Sequence, residues 1–243
     1  MLRDNRIIVE VPPTRTREKF LERISIIEKC VKTLDLPDAP LGIPAIHPIA
    51  LASIALSRGF DTITHLRLYD VNTVGFKELV YAAKALGVDN LVILHGDKPS
   101  EGSIVSDLES EEAVSIIKKD PVVSSLRIGL LLSLRYPREE VIKRLDSSAD
   151  FFLVLRAEPG KDYSWIRDEA KRRRKKLYAY LIIETSRNKD LIERRLAGQP
   201  RCRVERAETC ILELLRFFDK IILSLPGDYE FFPNLLGKLN LCV

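Results

Sequence analysis

Val88-Asp89-Asn90-Leu91-Val92-Ile93-Leu94-His95-Gly96-Asp97-Lys98-Pro99 is a short apolar run that stops abruptly in polar residues. Leu91 to Leu94 reads as a strand buried on both faces. Helix-like segments stand on either side of it, Gly75 to Leu86 before and Ser110 to Lys118 after. A buried strand between two helices is the unit of a parallel α/β fold. In such folds the polar residues just past the carboxyl end of a strand lie where ligands bind. His95, Gly96 and Asp97 occupy that place. Glycine permits a sharp turn or a close approach there, and Asp97 stands at the edge of a dry core, or simply caps the following segment.

The same unit recurs along the chain. Arg6 to Val11 leads into Thr16 to Lys32, where Phe20, Ile24, Ile27 and Val31 fall at helical spacing. Thr33 to Leu36 pairs with the helix Pro48 to Ser57, and Ile63 to Leu68 with Val74 to Leu86. After Leu91 to Leu94 come Leu126 to Leu132 with Arg138 to Leu145, and Phe151 to Leu155 with Trp165 to Arg174. Leu177 to Ile183 is followed by Asp190 to Arg195 and Glu205 to Phe217, then Lys220 to Leu225 by Phe231 to Leu239. Eight such pairs in 243 residues predict a single-domain (β/α)8 barrel over residues 1–243. A doubly wound open sheet is the alternative. The first strand is not followed by Gly-x-Gly-x-x-Gly, which argues against a dinucleotide-binding version of it.

Composition narrows the function classes. The chain is 46% hydrophobic and 30% charged, with a net charge of +4. No apolar run approaches the roughly 20 residues that span a bilayer. The opening residues lead straight into a strand, so the reading expects no signal peptide and a cytoplasmic protein. The basic run Lys171 to Lys176 reads as the solvated end of a helix. No aromatic interleaving turns it into a nucleic-acid motif. Cys30, Cys202, Cys210 and Cys242 lack metal-ligand spacing. Cys202 and Cys210 are close enough to pair, as intracellular cysteines of hyperthermophiles do. One glutamine, Gln199, one methionine, and abundant Arg, Lys and Glu point to a thermophile.

In a barrel the strand ends converge on one mouth. Here they supply Glu10, Asp35, Asp38, His65, Arg67, Asp70, Asn72, His95, Asp97, Lys98, Ser133, Arg135, Arg156, Glu158, Glu184 and Thr185, a ring of carboxylates with cations between them. Glu10 stands out because it sits inside the apolar strand Ile7-Ile8-Val9-Glu10-Val11. It is either a general acid whose affinity for its proton is raised by burial, or half of a structural ion pair. His65, also within a strand, reads as a satisfied core histidine or a catalyst. His47, beside Pro48, has no assigned role.

Three of these segments resemble methylenetetrahydrofolate reductase. Ile8-Val9-Glu10-Val11-Pro12-Pro13 is similar to that family's Phe-Glu-Phe-Phe-Pro-Pro opening. Thr64-His65-Leu66-Arg67-Leu68-Tyr69-Asp70-Val71-Asn72 is similar to its Pro-His-Leu-x-x-x-Asp-x-Asn segment. Ala85-Leu86-Gly87-Val88-Asp89-Asn90 and Leu94-His95-Gly96-Asp97-Lys98-Pro99 are similar to its Gly-Ile-x-Asn and Gly-Asp-x-Pro block. The match is in order over the first hundred residues. It continues weakly through Arg127-Ile128-Gly129, Ser148 to Phe152 and Gly237 to Leu241.

The resemblance implies a barrel with a flavin at its mouth, FAD rather than FMN, and NAD(P)H as electron donor. A small reduced pterin carrying a one-carbon unit would be the partner, with neither nucleic acid nor membrane, and self-association is left open. It implies that Glu10 protonates the substrate and opens its methylene bridge, and that Asp97 tunes the flavin. His65, Asp70, His95 and Gly96 would line the flavin site, with Lys143 and Arg144 meeting its phosphate. The pattern departs from the family at Ser133, where a tyrosine packs on the flavin, and at Val154-Leu155, where Thr-Gln grips the pterin. The aromatic contact after the seventh strand and the tyrosine and arginine around Leu223 to Asp228 are missing as well. Two other readings therefore stand beside a flavin oxidoreductase: a non-enzymatic or regulatory barrel that binds a pterin or nucleotide without flavin, and a pterin-dependent methyltransferase.

Overall fold

A computed structural model describes residues 5–242. Strands and helices alternate: β1 (Ile7–Glu10), α1 (Arg17–Ser25), β2 (Thr33–Leu36), α2 (Pro48–Ser57), β3 (Asp61–Arg67), α3 (Thr73–Ala85), β4 (Asn90–Leu94), α4 (Ser110–Lys119), β5 (Arg127–Ser133), α5 (Arg138–Leu145), β6 (Phe151–Leu155), α6 (Ser164–Arg172), β7 (Lys176–Glu184), α7 (Lys189–Arg195), β8 (Arg201–Arg203), α8 (Ala207–Leu214), β9 (Lys220–Ser224) and α9 (Phe232–Lys238). Strands β1 to β7 pair in order and in parallel. β9 joins β7 to β1 and closes the ring. The chain is a (β/α)8 barrel, and all eight predicted barrel strands are in it.

Local chemistry sets the helix starts. The Thr16 hydroxyl accepts from the Lys19 N–H at 3.3 Å ahead of α1, and the Asn72 carboxamide accepts from the Gly75 N–H at 2.9 Å ahead of α3. His47 caps α2 through Nδ1, which accepts from the Ile49 N–H at 3.3 Å, and Pro48 supplies the preset first turn.

Two apolar layers result. Outward-facing strand residues meet the helices in the main core. Inward-facing Ile8, Ile63, Val92, Phe151, Leu153, Tyr178 and Ile222 fill the barrel below the mouth. Gly129 on β5 makes room for this filling, since a Cβ there would lie 2.4 Å from the Phe151 ring.

The structure corrects three sequence expectations. The first helix ends at Ser25, and residues 26–30 continue as turns although Ile27 and Val31 remain buried. An extra strand, β8, extends the end of β7 through the register Ile182 to Arg201 and Glu184 to Arg203, so the helix expected from Glu205 begins only at Ala207. The basic run closes α6 as a largely solvated helix end, with Lys171, Arg172, Arg174 and Lys176 exposed. Arg172 and Arg173 pair with Glu169, Lys175 donates to the Ser147 and Ala149 carbonyls, and Lys176 pairs with Asp219 at 2.7 Å. Cys202 does pair with Cys210, but Cys30 also pairs with Cys242, a link with no local signal across 212 residues. Among the described residues no helix is long and apolar enough to cross a membrane.

Candidate active site

Glu10 is the last residue of β1 and lies in register with Asp35 of β2, which in turn pairs with Ile63 of the barrel filling. Register partners on neighbouring parallel strands point to the same face, so both carboxyl groups face into the barrel. His65, two residues past Ile63 on β3, points the same way. Its Nε2 lies 2.9 Å from Asp35 Oδ1. Tyr180 reaches across from β7, and its hydroxyl donates to Asp35 Oδ2 and stands 3.4 Å from His65 Nε2. Ser224, at the end of β9, donates its hydroxyl to Glu10 Oε2. Five residues from five strands thus form one network on top of the apolar filling.

The network lies in a low-dielectric setting, and its proton affinities show it. Burial pushes the Glu10 carboxyl up, the Asp35 charge pushes it further, and the Ser224 hydrogen bond only partly opposes them, so Glu10 is raised to about 7. Burial pushes His65 down, but the Asp35 charge and hydrogen bond, with Glu10 and Asp38, overcome it and leave the imidazole above its ordinary value. Burial, with Asp35 and Glu10, holds the Tyr180 phenol far above the usual range. Glu10 is therefore a carboxyl group that keeps a proton near neutrality, as a general acid must. Its partner is a hydroxyl and not an Arg or Lys, which removes the structural ion pair as its explanation.

Above this layer lies a rim built by β3 and β4. The buried Arg67 guanidinium pairs with Asp70 at 2.6 Å and donates to the Ala39 carbonyl at 3.0 Å, while its backbone N–H donates to Asp38 at 2.9 Å. Burial raises Asp38, against the pull of Arg67 and the nearby histidines. Gly96, at φ +88, lies flat against Arg67, where a Cβ would come within 2.7 Å of the side chain. Asp97 accepts from the Leu41 N–H at 2.7 Å and fastens the loop after β2. That loop holds Ala39 and Leu41 at φ 37 and 60, left-handed conformations costly for non-glycine residues. His95 stands 3.3 Å from Glu109 and against the Tyr69 ring.

The mouth opens on the other side into a groove of about 1460 Å³ along the ends of β5 and β6. Ser133, Arg135, Lys143, Arg144, Ser147 and Leu155 line it. Arg144 is anchored by donating to the Leu131 carbonyl at 2.7 Å and by an ion pair with Glu111. The hydroxyls of Ser133 and Ser147 are buried without a hydrogen-bond partner. Buried polar atoms are nearly always paired, so two orphans in one groove suit a polar ligand. The groove and a smaller cavity over His65 share His95, Gly96, Leu131 and Arg144, so they are continuous.

The predicted site residues thus fall into three places. Glu10 and His65 meet in the inner network. Asp70, His95, Gly96 and Asp97 make the rim, and Lys143 and Arg144 belong to the groove. Asp35 was visible only as one of many strand-end carboxylates. Tyr180 and Ser224 gave no signal, because tyrosine and serine are unremarkable in a strand. Among the described residues no group of three or more His, Cys, Asp and Glu is placed to hold a metal ion.

No family model and no curated protein matches the chain. Solved structures do. One is an uncharacterized protein from Clostridium thermocellum that binds two copies of 5-methyl-5,6,7,8-tetrahydrofolic acid. It superposes with a TM-score of 0.70 at 16% identity, covering 98% of this chain and 96% of that one. Another is QR15, an aldolase, with a TM-score of 0.54 at 17% identity, covering 96% of this chain and 97% of that one. At these identities the likeness is one of fold, and this chain shares its (β/α)8 architecture with a barrel that binds methyltetrahydrofolate.

Proposed function

We propose that this protein is a flavin-dependent oxidoreductase of the methylenetetrahydrofolate reductase type, acting on a reduced pterin that carries a one-carbon unit. The observation that carries the reading is Glu10, a carboxyl group raised to about 7 at the floor of a barrel mouth. The in-order resemblance of residues 8–99 to that family supports it. So does the fold shared with a protein that binds 5-methyl-5,6,7,8-tetrahydrofolic acid.

Glu10 gives its proton to a nitrogen of the substrate's methylene bridge, and the carbon–nitrogen bond opens. The Ser224 hydroxyl orients the carboxyl from the neighbouring strand β9. The apolar filling under the network keeps water out, so the proton is not lost to solvent before the substrate arrives. The β5–β6 groove fits a phosphate-bearing cofactor. The Arg135 and Lys143 cations are exposed to a ligand there, and the Ser133 and Ser147 hydroxyls lie unpaired just beneath the groove surface. A bound flavin supplies hydride to the opened one-carbon unit.

Leu155 favours a second reading, a pterin-binding barrel without flavin. It lines the groove where the family's glutamine grips the pterin, and it can make no paired hydrogen bond. Two measurements on the purified protein separate the readings: calorimetric titration with 5-methyltetrahydrofolate, and assay of flavin released on denaturation after incubation with FAD. The reductase reading expects both ligands to bind and NAD(P)H to bleach the flavin. Pterin binding without flavin moves the assignment to the second reading, and binding of neither ends both.

A further inference from the structure

We infer that Asp35 is a positioning residue for the acid at Glu10: clamped between Tyr180 and His65, it carries the fixed negative charge that keeps the Glu10 proton in place. The inference rests on Glu10 being the acid of the proposed reaction. Asp35 is wholly buried, and both its oxygens are occupied, Oδ1 by the imidazole at 2.9 Å and Oδ2 by the Tyr180 hydroxyl. With His65 donating from Nε2, both Asp35 oxygens act as acceptors, the arrangement that suits a carboxylate. Its strand neighbour in register is Glu10. Two carboxyl groups side by side in a dry site cannot both ionise cheaply, so fixing the charge on one holds the proton on the other.

Each element around Glu10 supports this division. Asp35 faces it from β2, His65 from β3, Tyr180 from β7 and Ser224 from β9, while Asp38 and Arg67 stand beyond His65 at the rim. Tyr180 and His65 serve Asp35, and only Ser224 bonds to Glu10. His65 shields part of the Asp35 charge, so the two residues act on Glu10 with opposite signs. The clamp also fixes where Asp35 points, because the Tyr180 and His65 donors approach different oxygens.

The test is a direct titration of the Glu10 carboxyl by carbon-13 NMR of glutamate-labelled protein, with Glu10→Gln to assign the signal. Asp35→Asn should lower the Glu10 midpoint by about one pH unit, and His65→Gln should raise it by about as much. A structural role for the pair would not move the midpoint in opposite directions. Shifts of the same sign, or no shift in either variant, overturn the inference. Should Asp35→Asn not fold, carbon-13 titration of aspartate-labelled wild-type protein decides: an Asp35 carboxyl that is protonated while Glu10 is ionised overturns the inference, and one that is ionised while Glu10 is protonated bears it out. The titration needs no ligand. A protein that fails to bind 5-methyltetrahydrofolate therefore defeats the pterin reading without touching this result.

Discussion

The two halves of the barrel mouth are built on opposite terms. On the β1–β3, β7 and β9 side each residue of the inner layer has a protein hydrogen-bond partner. His65 and Tyr180 hold Asp35, and Ser224 holds Glu10, side by side over an apolar floor. On the β5–β6 side the groove is open, Arg135 and Lys143 stand toward solvent, and two serine hydroxyls have no protein partner. A closed polar network fixes proton affinities, because each member sees unchanging neighbours in a low dielectric. An open groove with unsatisfied donors leaves its hydrogen bonds to a ligand. Proton handling therefore belongs to one half and ligand capture to the other.

Glu10→Gln attacks the closed half at its centre and should have the largest effect. The variant keeps the shape and removes the proton. Reoxidation of reduced flavin by the methylene-pterin should slow by ~10²–10⁴-fold, the usual loss of a general acid. Reduction of the flavin by NAD(P)H should stay near the wild-type rate. Rapid-mixing measurement of the two half-reactions checks this, and a variant that runs both at full speed removes Glu10 from the chemistry.

The same substitution has a stability signature of the next size. Glu10 is raised from 4.5 to about 7 in the folded protein, so between those values the folded state holds a proton that the unfolded chain has released. Stability is then fully present below about pH 4.5 and is lost as pH rises through about 7, by an amount on the order of 3 kcal/mol. His65, also raised, acts with the same sign. Glu10→Gln removes the Glu10 part of this slope. Urea unfolding at pH 5 and pH 8 should show wild type weakening between the two and the variant weakening much less. Equal pH slopes would mean that Glu10 is solvated.

How much of this was legible in the sequence follows the same division between near and far. The barrel was legible because most strands are largely apolar runs and most helices show a helical period, both local properties. β8 was not, since Arg201-Cys202-Arg203 buries a single side chain and has no pattern to read. Helix α1 was overestimated because Ile27 and Val31 keep helical spacing while packing from turns. Glu10 and His65 were legible as polar residues inside apolar strands. Their partners were not. Tyr180 meets Asp35 across 145 positions and Ser224 meets Glu10 across 214, and neither residue type is out of place in a strand. Lys143 and Arg144 came only from the family resemblance, and Ser133 was noted as a departure from it. The structure gives that serine a meaning, because its hydroxyl is one of the two left unpaired.

The open half is tested by charge. Lys143 is exposed and lines the groove, so Lys143→Glu should leave the fold within about 0.5 kcal/mol of wild type. Affinity for FAD should fall by about tenfold, and by less as salt is raised, since exposed charges are screened. Affinity for 5-methyltetrahydrofolate over Glu10 should change little. Flavin fluorescence quenching and calorimetry give the two affinities. An equal loss of both ligands would mean that the groove and the inner network hold one ligand between them.

The smallest expected effects come from two serine-to-alanine changes, one in each half, and they sharpen the comparison most because the chemistry removed is identical. Ser224→Ala takes away the hydrogen bond that Glu10 accepts, so it should cost about 1 kcal/mol of stability. It should also raise the Glu10 midpoint further, because that bond is what lowers it. Ser133→Ala removes a hydroxyl that no protein group uses. Stability should hold or improve by a few tenths of a kcal/mol, since an unsatisfied buried oxygen is relieved. FAD affinity should fall by roughly threefold, the loss of about one modest hydrogen bond. Thermal melts of the two variants with and without FAD make the contrast directly. Ser224→Ala loses stability in either condition, whereas Ser133→Ala loses only the added stability that the ligand confers. Two variants that behave alike in both conditions would show that the two halves of the mouth do not differ in the way their hydrogen bonds imply.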